Sequence, residues 1–214
     1  MRRRRAVLIT PSEQVRLEIL DRFEVDESRV FATPLGVVQL PEAIPFRAER
    51  PYVLAVATLE PRKNLSYLLE AYQRSRLKRT HDLRLVGRPG WNAPPLPNVT
   101  VMTAVDDVQL SALYRGAAAL ISPSIYEGFG LPLIEAMSLG VPTLCSDIPV
   151  HREVTGGLVE YFSLEDLDDL VWRLDRIADP QVEQQGLWRS WAARFTWDAC
   201  ADATILAYRR AAQL

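Results

Sequence analysis

The sequence predicts an α/β fold, a Rossmann-like doubly wound parallel sheet. Short β-rich runs alternate with longer segments of helical period. Some of the runs, such as "YVLAVAT" at 52–58, are apolar at nearly every position, the pattern of strands buried on both faces. The loops that follow the runs gather glycine, charge and small polar groups, and in this plan ligands bind at the carboxyl ends of the strands. At 214 residues the chain is long enough for one good-sized domain, or one domain plus appendages.

Each element follows in order. "AVLIT" at 6–10 is a strand, and Ser12 caps a helix that carries Val15, Ile19, Leu20 and Phe23 on one side. "RVFATPLGV" is extended. "QLPEAIPFRAERP" at 39–51, with three prolines and no period, is a linker. After the strand "YVLAVAT" and the loop "LEPRK", Asn64 caps a helix with Leu65, Leu68, Leu69 and Tyr72 at helical spacing. "LRLVG" is a strand, "RPGWNAPPLP" a loop and "VTVM" a strand. A helix with Leu110, Leu113 and Tyr114 precedes the strand "AALIS". "SIYEGFGLPLIEA" at 124–136 turns into a helix through Ile134, and "VPTLCS" is the next strand, followed by the loop "SDIPVHRE". Ser163 with Asp166 opens a helix over "LEDLDDLVWRLDRIA" in the manner of a capping box. The chain from Gln181 to Leu214 is helical in character, and no internal repeat occurs.

Chemistry is sought in the strand-end loops. In "SIYEGFGLPLIEA", Gly128 and Gly130 let the backbone turn tightly and approach a ligand. The amides after Gly130 sit at a helix N-terminus, where unpaired N–H groups and the helix dipole favour an anion, above all a phosphate. Pro132 fits the first helical turn. Glu127 and Glu135 flank that anion site. Carboxylates repel phosphate, so both are assigned to hydroxyls: two polyol-reading carboxylates around an anion cradle describe a nucleotide sugar. The bland reading, two solvated glutamates and a turn, weakens because Arg62 and Lys63 in "LEPRKN" supply a counter-charge for a diphosphate from a second strand-end loop.

Other chemistries find little support. There is no Walker-type phosphate loop, no Gly-x-Gly-x-x-Gly after the first strand and no Gly-x-Ser-x-Gly. His81 and His151 are too few and too isolated for a histidine-based metal site; His81 reads as a surface residue and His151 as structural or at the cleft rim. Cys145 and Cys200 read as small buried side chains in a reducing compartment. The acidic cluster "EDLDDL" reads as the solvated first turns of a helix. A formal charge of −2 gives no electrostatic case for nucleic acid. After "MRRRR" the apolar run Ala6–Ile9 stops short of the roughly 7–15 residues of a signal peptide's core. No stretch approaches the ~20 apolar residues of a membrane span. The expectation is a cytoplasmic protein, with peripheral membrane contact through the arginines as the further option.

These residues together resemble the C-terminal, donor-binding half of a retaining glycosyltransferase of the GT-B fold, in family four, and the resemblance covers nearly the whole chain. "SIYEGFGLPLIEA" is similar to the family's paired-glutamate motif and "TLEPRKN" at 58–64 to its phosphate-binding loop. "TPLGV" at 33–37 resembles its interdomain crossing, "SDIPVHREVTGG" at 146–157 its next loop, and "FTW" at 195–197 the start of its closing helix. The resemblance implies that Glu127 contacts the donor sugar and stabilises its developing positive charge. It implies that Lys63, helped by Arg62, neutralises the departing diphosphate. Gly128, Phe129, Gly130 and Leu131 would face sugar and diphosphate, Glu135 would hold the ribose hydroxyls, and Thr58 and Gly87 would line the donor site. No metal and no cofactor beyond the nucleotide-sugar substrate is expected, the donor being GDP- or UDP-linked. The retaining mechanism it implies delivers the acceptor to the face the nucleotide leaves, with a donor phosphate oxygen taking its proton.

Ala57, Thr58 and Thr103 depart from residues common in the family, Gly, Arg and Gly respectively, so donor sugar and base stay open. "EPRKN" resembles the form found in mannosyl- and rhamnosyl-transferases. The expected organisation is a remnant of an N-terminal domain and crossing at 1–38, a donor-binding domain at 39–196, and a C-terminal return helix at 197–214. The first strand is expected to have lost its own sheet, and the closing helix to expose apolar surface. The expected function is sugar transfer to a glycan, lipid-linked or small-molecule acceptor in glycan, polysaccharide or glycolipid biosynthesis. It is expected to be incomplete without an acceptor domain, the chain being either a fragment or one that works with an acceptor domain on another chain. The alternative is a non-catalytic nucleotide-sugar-binding module used for sensing or scaffolding.

Overall fold

The computed structural model describes residues 6–92, 95–97, 99–177 and 184–213. The arginine tail, parts of the predicted 88–97 loop and the first residues of the 181–214 segment lie outside them. Six strands form one fully parallel sheet: β3 (Tyr52–Val56), β4 (Asp82–Val86), β5 (Thr100–Met102), β6 (Ala119–Ser122), β7 (Thr143–Ser146) and β8 (Glu160–Phe162). Their order is β5-β4-β3-β6-β7-β8. Chain order therefore reverses between β3 and β6, the switch point where open parallel sheets bind ligands in a crevice.

Period-two alternation sends the side chains of the central strands to two cores. Tyr52 and Leu54 of β3, Leu120 of β6 and Cys145 of β7 join one core with Leu133, Ile134 and Trp188. Val53, Ala55, Ile121 and Leu144 join the other, with Leu65 and Leu68 of α2 (Leu65–Arg74) and Leu170 and Leu174 of α6 (Leu167–Leu174). Burial on both faces is why these strands read as unbroken apolar runs. Helices α3 (Asp107–Gly116), α4 (Leu131–Leu139), α5 (Pro149–Thr155) and α7 (Gln185–Ala192) each contribute buried residues, and α4 packs against α3, α5 and α7.

The N-terminal segment has its own small structure. β1 (Leu8–Thr10) and β2 (Val30–Ala32) form a two-stranded parallel sheet, joined by α1 (Glu13–Arg22). The first strand thus has a partner, contrary to expectation. α8 (Trp197–Ala212) packs on both strands. Ser12 caps α1 as predicted, by accepting from Val15 N–H. The two carboxylate oxygens of Glu153, on α5, take the next free amides, those of Glu13 and Gln14, each at 2.8 Å. No α1 residue is fully buried and Phe23 is exposed. α8 leaves Trp197, Ile205, Leu206 and Tyr208 exposed.

Four local expectations change. Asn64 occupies the N-cap position of α2 but at φ 53°, where its side chain makes no capping bond; it closes the 3₁₀ turn Pro61–Lys63 instead. The predicted loop "SDIPVHRE" becomes helical from Pro149, whose fixed φ suits a first turn. The cap of α6 is Asp166, which accepts from Asp168 and Asp169 N–H, so that helix begins three residues later than predicted. Cys145 is buried, but Cys200, on α8, is only partly so. The short strand β8 carries no alternating apolar pattern long enough to mark it in sequence.

Candidate functional site

The two loops beside the crevice are tied to each other. β3 leads through Ala57–Glu60 into the Pro61–Lys63 turn, and β6 leads into 123–130. Ile125 N–H donates to Arg62 C=O at 2.9 Å, and Arg62 Nη1 donates to Tyr126 C=O at 3.3 Å. The loop after β4 closes in from the other side through Leu59 N–H to Arg88 C=O at 2.9 Å. A Cβ at position 87 would sit 1.7 Å from the carbonyl oxygen of Ala57, so only glycine permits this approach.

The motif turn is built as its sequence suggests. Gly130 takes φ +100°, a conformation that disfavours any side chain, and leads into α4 with Pro132 in its first turn. Phe129 is buried edge-on against Phe195, ring centroids 5.5 Å apart. With the aromatic ring anchored inward, the 128–131 backbone runs along the crevice. Among the described residues, no hydrogen bond occupies the amides of Gly128, Phe129, Gly130 or Leu131. This is the arrangement of a helix N-terminus able to receive an anion.

The predicted charged residues meet, but more intimately than expected. Glu127 is buried, and its Oε1 accepts from Lys63 Nζ and from Ser124 Oγ, the latter at 2.7 Å. Its Oε2 accepts from Arg62 Nη1 at 2.7 Å, while Arg62 Nε also pairs with Glu60 at 2.6 Å. Arg62 and Lys63, predicted to stand opposite an anion cradle, thus lie against the first carboxylate of that motif. Burial pushes the Glu127 carboxyl upward, but Lys63, Ser124 and Arg62 outweigh it and hold the carboxyl below the usual range. Glu135, one turn into α4, has no ion-pair partner among the described residues. Its Oε2 accepts from the buried Tyr114 hydroxyl at 2.8 Å. Burial raises its carboxyl above the usual range, with the Tyr114 bond opposing and Asp107 adding to the rise.

Two adjoining cavities lie along these groups. One, of about 390 Å³, is lined by Thr58, Gly87, Arg88, Thr103 and Glu135. The other, of about 290 Å³, is lined by Pro11, Leu35, Glu127, Gly128, Phe129 and Gly130. Lys63, Leu131 and Pro132 belong to both. Every predicted site residue therefore lines a cavity or, in the case of Arg62, bonds to one that does. Glu127 and Glu135 line separate cavities, and Lys63, bonded to Glu127, lines both. Among the described residues no three His, Cys, Asp or Glu side chains are gathered so as to hold a metal.

Residues not singled out in sequence complete the site. Tyr114 looked like a core aromatic; its hydroxyl is what fixes Glu135. Ser124 sat in the motif without an assigned task. Pro11 and Leu35 come from the N-terminal segment, which thereby walls the Glu127 chamber; no local signal in sequence could place them there. Arg88 belongs to a loop that had been marked only as a whole. His151 lies under the motif, fully buried rather than at a rim. Ser146 Oγ donates its one proton to Ser124 C=O at 2.5 Å, so the ring proton of His151 sits on Nδ1, donating to Ser146 C=O at 2.9 Å. His151 Nε2 has no partner among the described residues, and burial lowers the ring's pKa.

The family described as "Glycosyl transferases group 1" matches residues 39–185. The O-antigen chain mannosyltransferase B of Escherichia coli is 33% identical, over 95% of this chain and 60% of that protein. The MMP alpha-(1->4)-mannosyltransferase of Mycolicibacterium hassiacum is 31% identical, over 95% of this chain and 54% of its own length. The chain thus spans somewhat over half the length of these curated relatives. Among solved structures, a sucrose-phosphate synthase from Thermosynechococcus elongatus superposes with a TM-score of 0.77 at 24% identity, over 94% of this chain and 57% of that one.

Proposed function

The chain belongs to the group 1 glycosyl transferases, and on that premise we propose that its cleft binds a nucleotide-diphosphate sugar for retaining transfer of the sugar to a glycan, lipid-linked or small-molecule acceptor. The ribose takes the free acceptor capacity of Glu135, and the base lies toward Thr58, Gly87 and Thr103. The diphosphate crosses between the chambers, on the 129–131 amides and the Lys63 and Arg62 cations. The sugar enters the Glu127 chamber. As the bond from the sugar to the diphosphate breaks, positive charge grows on the sugar beside the Glu127 carboxylate. Negative charge grows on the leaving phosphate beside Lys63, so each developing charge meets a preorganised opposite one. A GDP-linked mannose is the first donor to try, since both curated relatives named above are mannosyltransferases.

The observation that carries this reading is the division of the cleft. Two glutamates of one turn line two adjoining cavities, and the lysine paired with the first of them lines both. That spacing suits a ligand with hydroxyls at both ends and an anion in the middle. The acceptor side is proposed to come from outside residues 39–196, from a further domain or a separate chain. Donor binding without transfer is the coarser form of the same proposal.

Titration calorimetry of the purified chain with GDP-mannose, UDP-glucose and their free nucleoside diphosphates tests it. One saturable site is expected for at least one nucleotide sugar, weakened in Glu135→Ala. The absence of binding by all of them, or full affinity in Glu135→Ala, overturns the assignment of the cleft.

A further inference from the structure

Glu127 already holds the cations that the diphosphate needs. Both carboxylate oxygens are engaged, Oε1 by Lys63 and Ser124 and Oε2 by Arg62. About four lone-pair directions exist on a carboxylate, and three are taken. The side chains of Glu127 and Lys63 are only 8% and 10% exposed, so water does not readily replace the Lys63 bond, while Arg62, 41% exposed, is the easier partner to exchange. Lys63 also lines the Glu135 chamber, so a phosphate held between the two chambers would compete with Glu127 for it.

We propose that Glu127 is a specificity-determining residue that favours a complete nucleotide sugar over the bare nucleoside diphosphate, because it surrenders Lys63 and Arg62 at low cost only when sugar hydroxyls replace them. This deepens the proposed function and rests on it. A diphosphate that enters alone draws the two cations toward itself and leaves a buried carboxylate short of donors, which is unfavourable. A nucleotide sugar draws the same cations but places hydroxyls in the chamber that Glu127 lines. Those hydroxyls donate to the oxygens the cations release. Ser124 stays bonded throughout and keeps the carboxylate oriented. Once the sugar has been transferred, the nucleoside diphosphate is left competing with Glu127 for Lys63 and Arg62, which hastens its departure.

The test compares Glu127→Gln with the parent chain, using GDP and GDP-mannose and, in parallel, UDP and UDP-glucose. The amide keeps the shape and gives up the charge that holds the cations. The nucleoside diphosphate is expected to bind about tenfold tighter to Glu127→Gln, because the competing anion has gone. The nucleotide sugar is expected to gain nothing or to weaken, so the ratio of the two affinities shifts toward the nucleoside diphosphate. Glu127→Asp keeps the charge but shortens its reach toward the cations. It should show the same shift at about threefold, and it serves where Glu127→Gln does not fold. Unchanged or weaker nucleoside-diphosphate binding in these variants, or an equal change for both ligands, overturns the inference while leaving the proposed function standing. Failure of every ligand to bind the parent chain overturns both.

Discussion

Glu127 and Glu135 come from the same strand-to-helix turn, eight positions apart in sequence, and their carboxyl groups shift in opposite directions. Both are largely buried, so burial alone would raise both. At Glu127 two cations and a hydroxyl reverse that effect; at Glu135 a single phenol opposes it without winning. One end of the cleft is therefore a fixed, compensated charge, and the other a carboxylate whose remaining acceptor capacity lacks a strong donor. A motif thus specifies where its carboxylates stand, while the loops around it specify what they can do.

Removing the compensation breaks the comparison most severely. Lys63→Met, which keeps length but not charge, leaves Glu127 to Arg62 and Ser124. Loss of one partner from a buried pair costs about 3 kcal/mol of stability. The midpoint of urea unfolding should fall accordingly, and nucleoside-diphosphate affinity should fall with it; an unchanged midpoint would mean that the pair is solvated. The next effect is at the other end. Glu135→Ala should weaken nucleotide-sugar binding by about tenfold to about a hundredfold, the worth of a hydrogen bond to a charged group. It also leaves the Tyr114 hydroxyl without its partner, so a stability loss of about 1–3 kcal/mol accompanies it. Glu135→Ala combined with Tyr114→Phe should recover part of that stability but none of the affinity.

A pH series sharpens the contrast. A lowered folded-state pKa at Glu127 means that its contribution is in place above the unfolded carboxylate pKa and is lost as pH falls through the lower folded value. A raised folded-state pKa at Glu135 means the reverse. Its ionised form is penalised near neutrality, and the penalty is relieved as pH falls through the folded value. Glu135→Gln should therefore show an advantage over the parent at about pH 7 that shrinks toward about pH 4. Glu127→Gln should differ most from the parent at about pH 7 and least in acid. Unfolding midpoints measured across that range decide it; parallel slopes for the two variants would contradict the assignment. The smallest effect belongs to Ser124→Ala, about 1 kcal/mol for a single neutral donor, read in the same unfolding series.

Much of this molecule was legible in the sequence because its signals are local. The two-faced burial of β3, β6 and β7 writes itself as apolar runs, and Gly128, Gly130, Pro132 and the Arg62–Lys63 pair announce their turns by residue type. What was not legible depends on distance along the chain. Nothing near Pro11 or Leu35 says that they wall the Glu127 chamber. Tyr114 looks the same in sequence whether its hydroxyl is idle or holds Glu135. The direct pairing of Lys63 with Glu127 joins residues 64 positions apart, through two loops whose relative height only the sheet order fixes. Local rules also misfired where two turn conformations compete: Asn64 has a good capping side chain, but the left-handed backbone that ends the preceding turn aims it elsewhere. The "TPLGV" and "FTW" segments were each recognisable, but that they touch, through Val37 N–H to Phe195 C=O at 3.0 Å, emerges only from the fold.

In the proposed function the ligand's anion sits on the 129–131 amides between the two carboxylates. Amide NMR of the isotopically labelled chain, titrated with GDP-mannose or with UDP-glucose, tests it most directly. The largest saturable shifts are expected at Phe129, Gly130 and Leu131, followed by Lys63 and Glu135. Shifts concentrated instead at the separate cavity lined by Thr143, Glu160 and Trp172, or none at all, would contradict it.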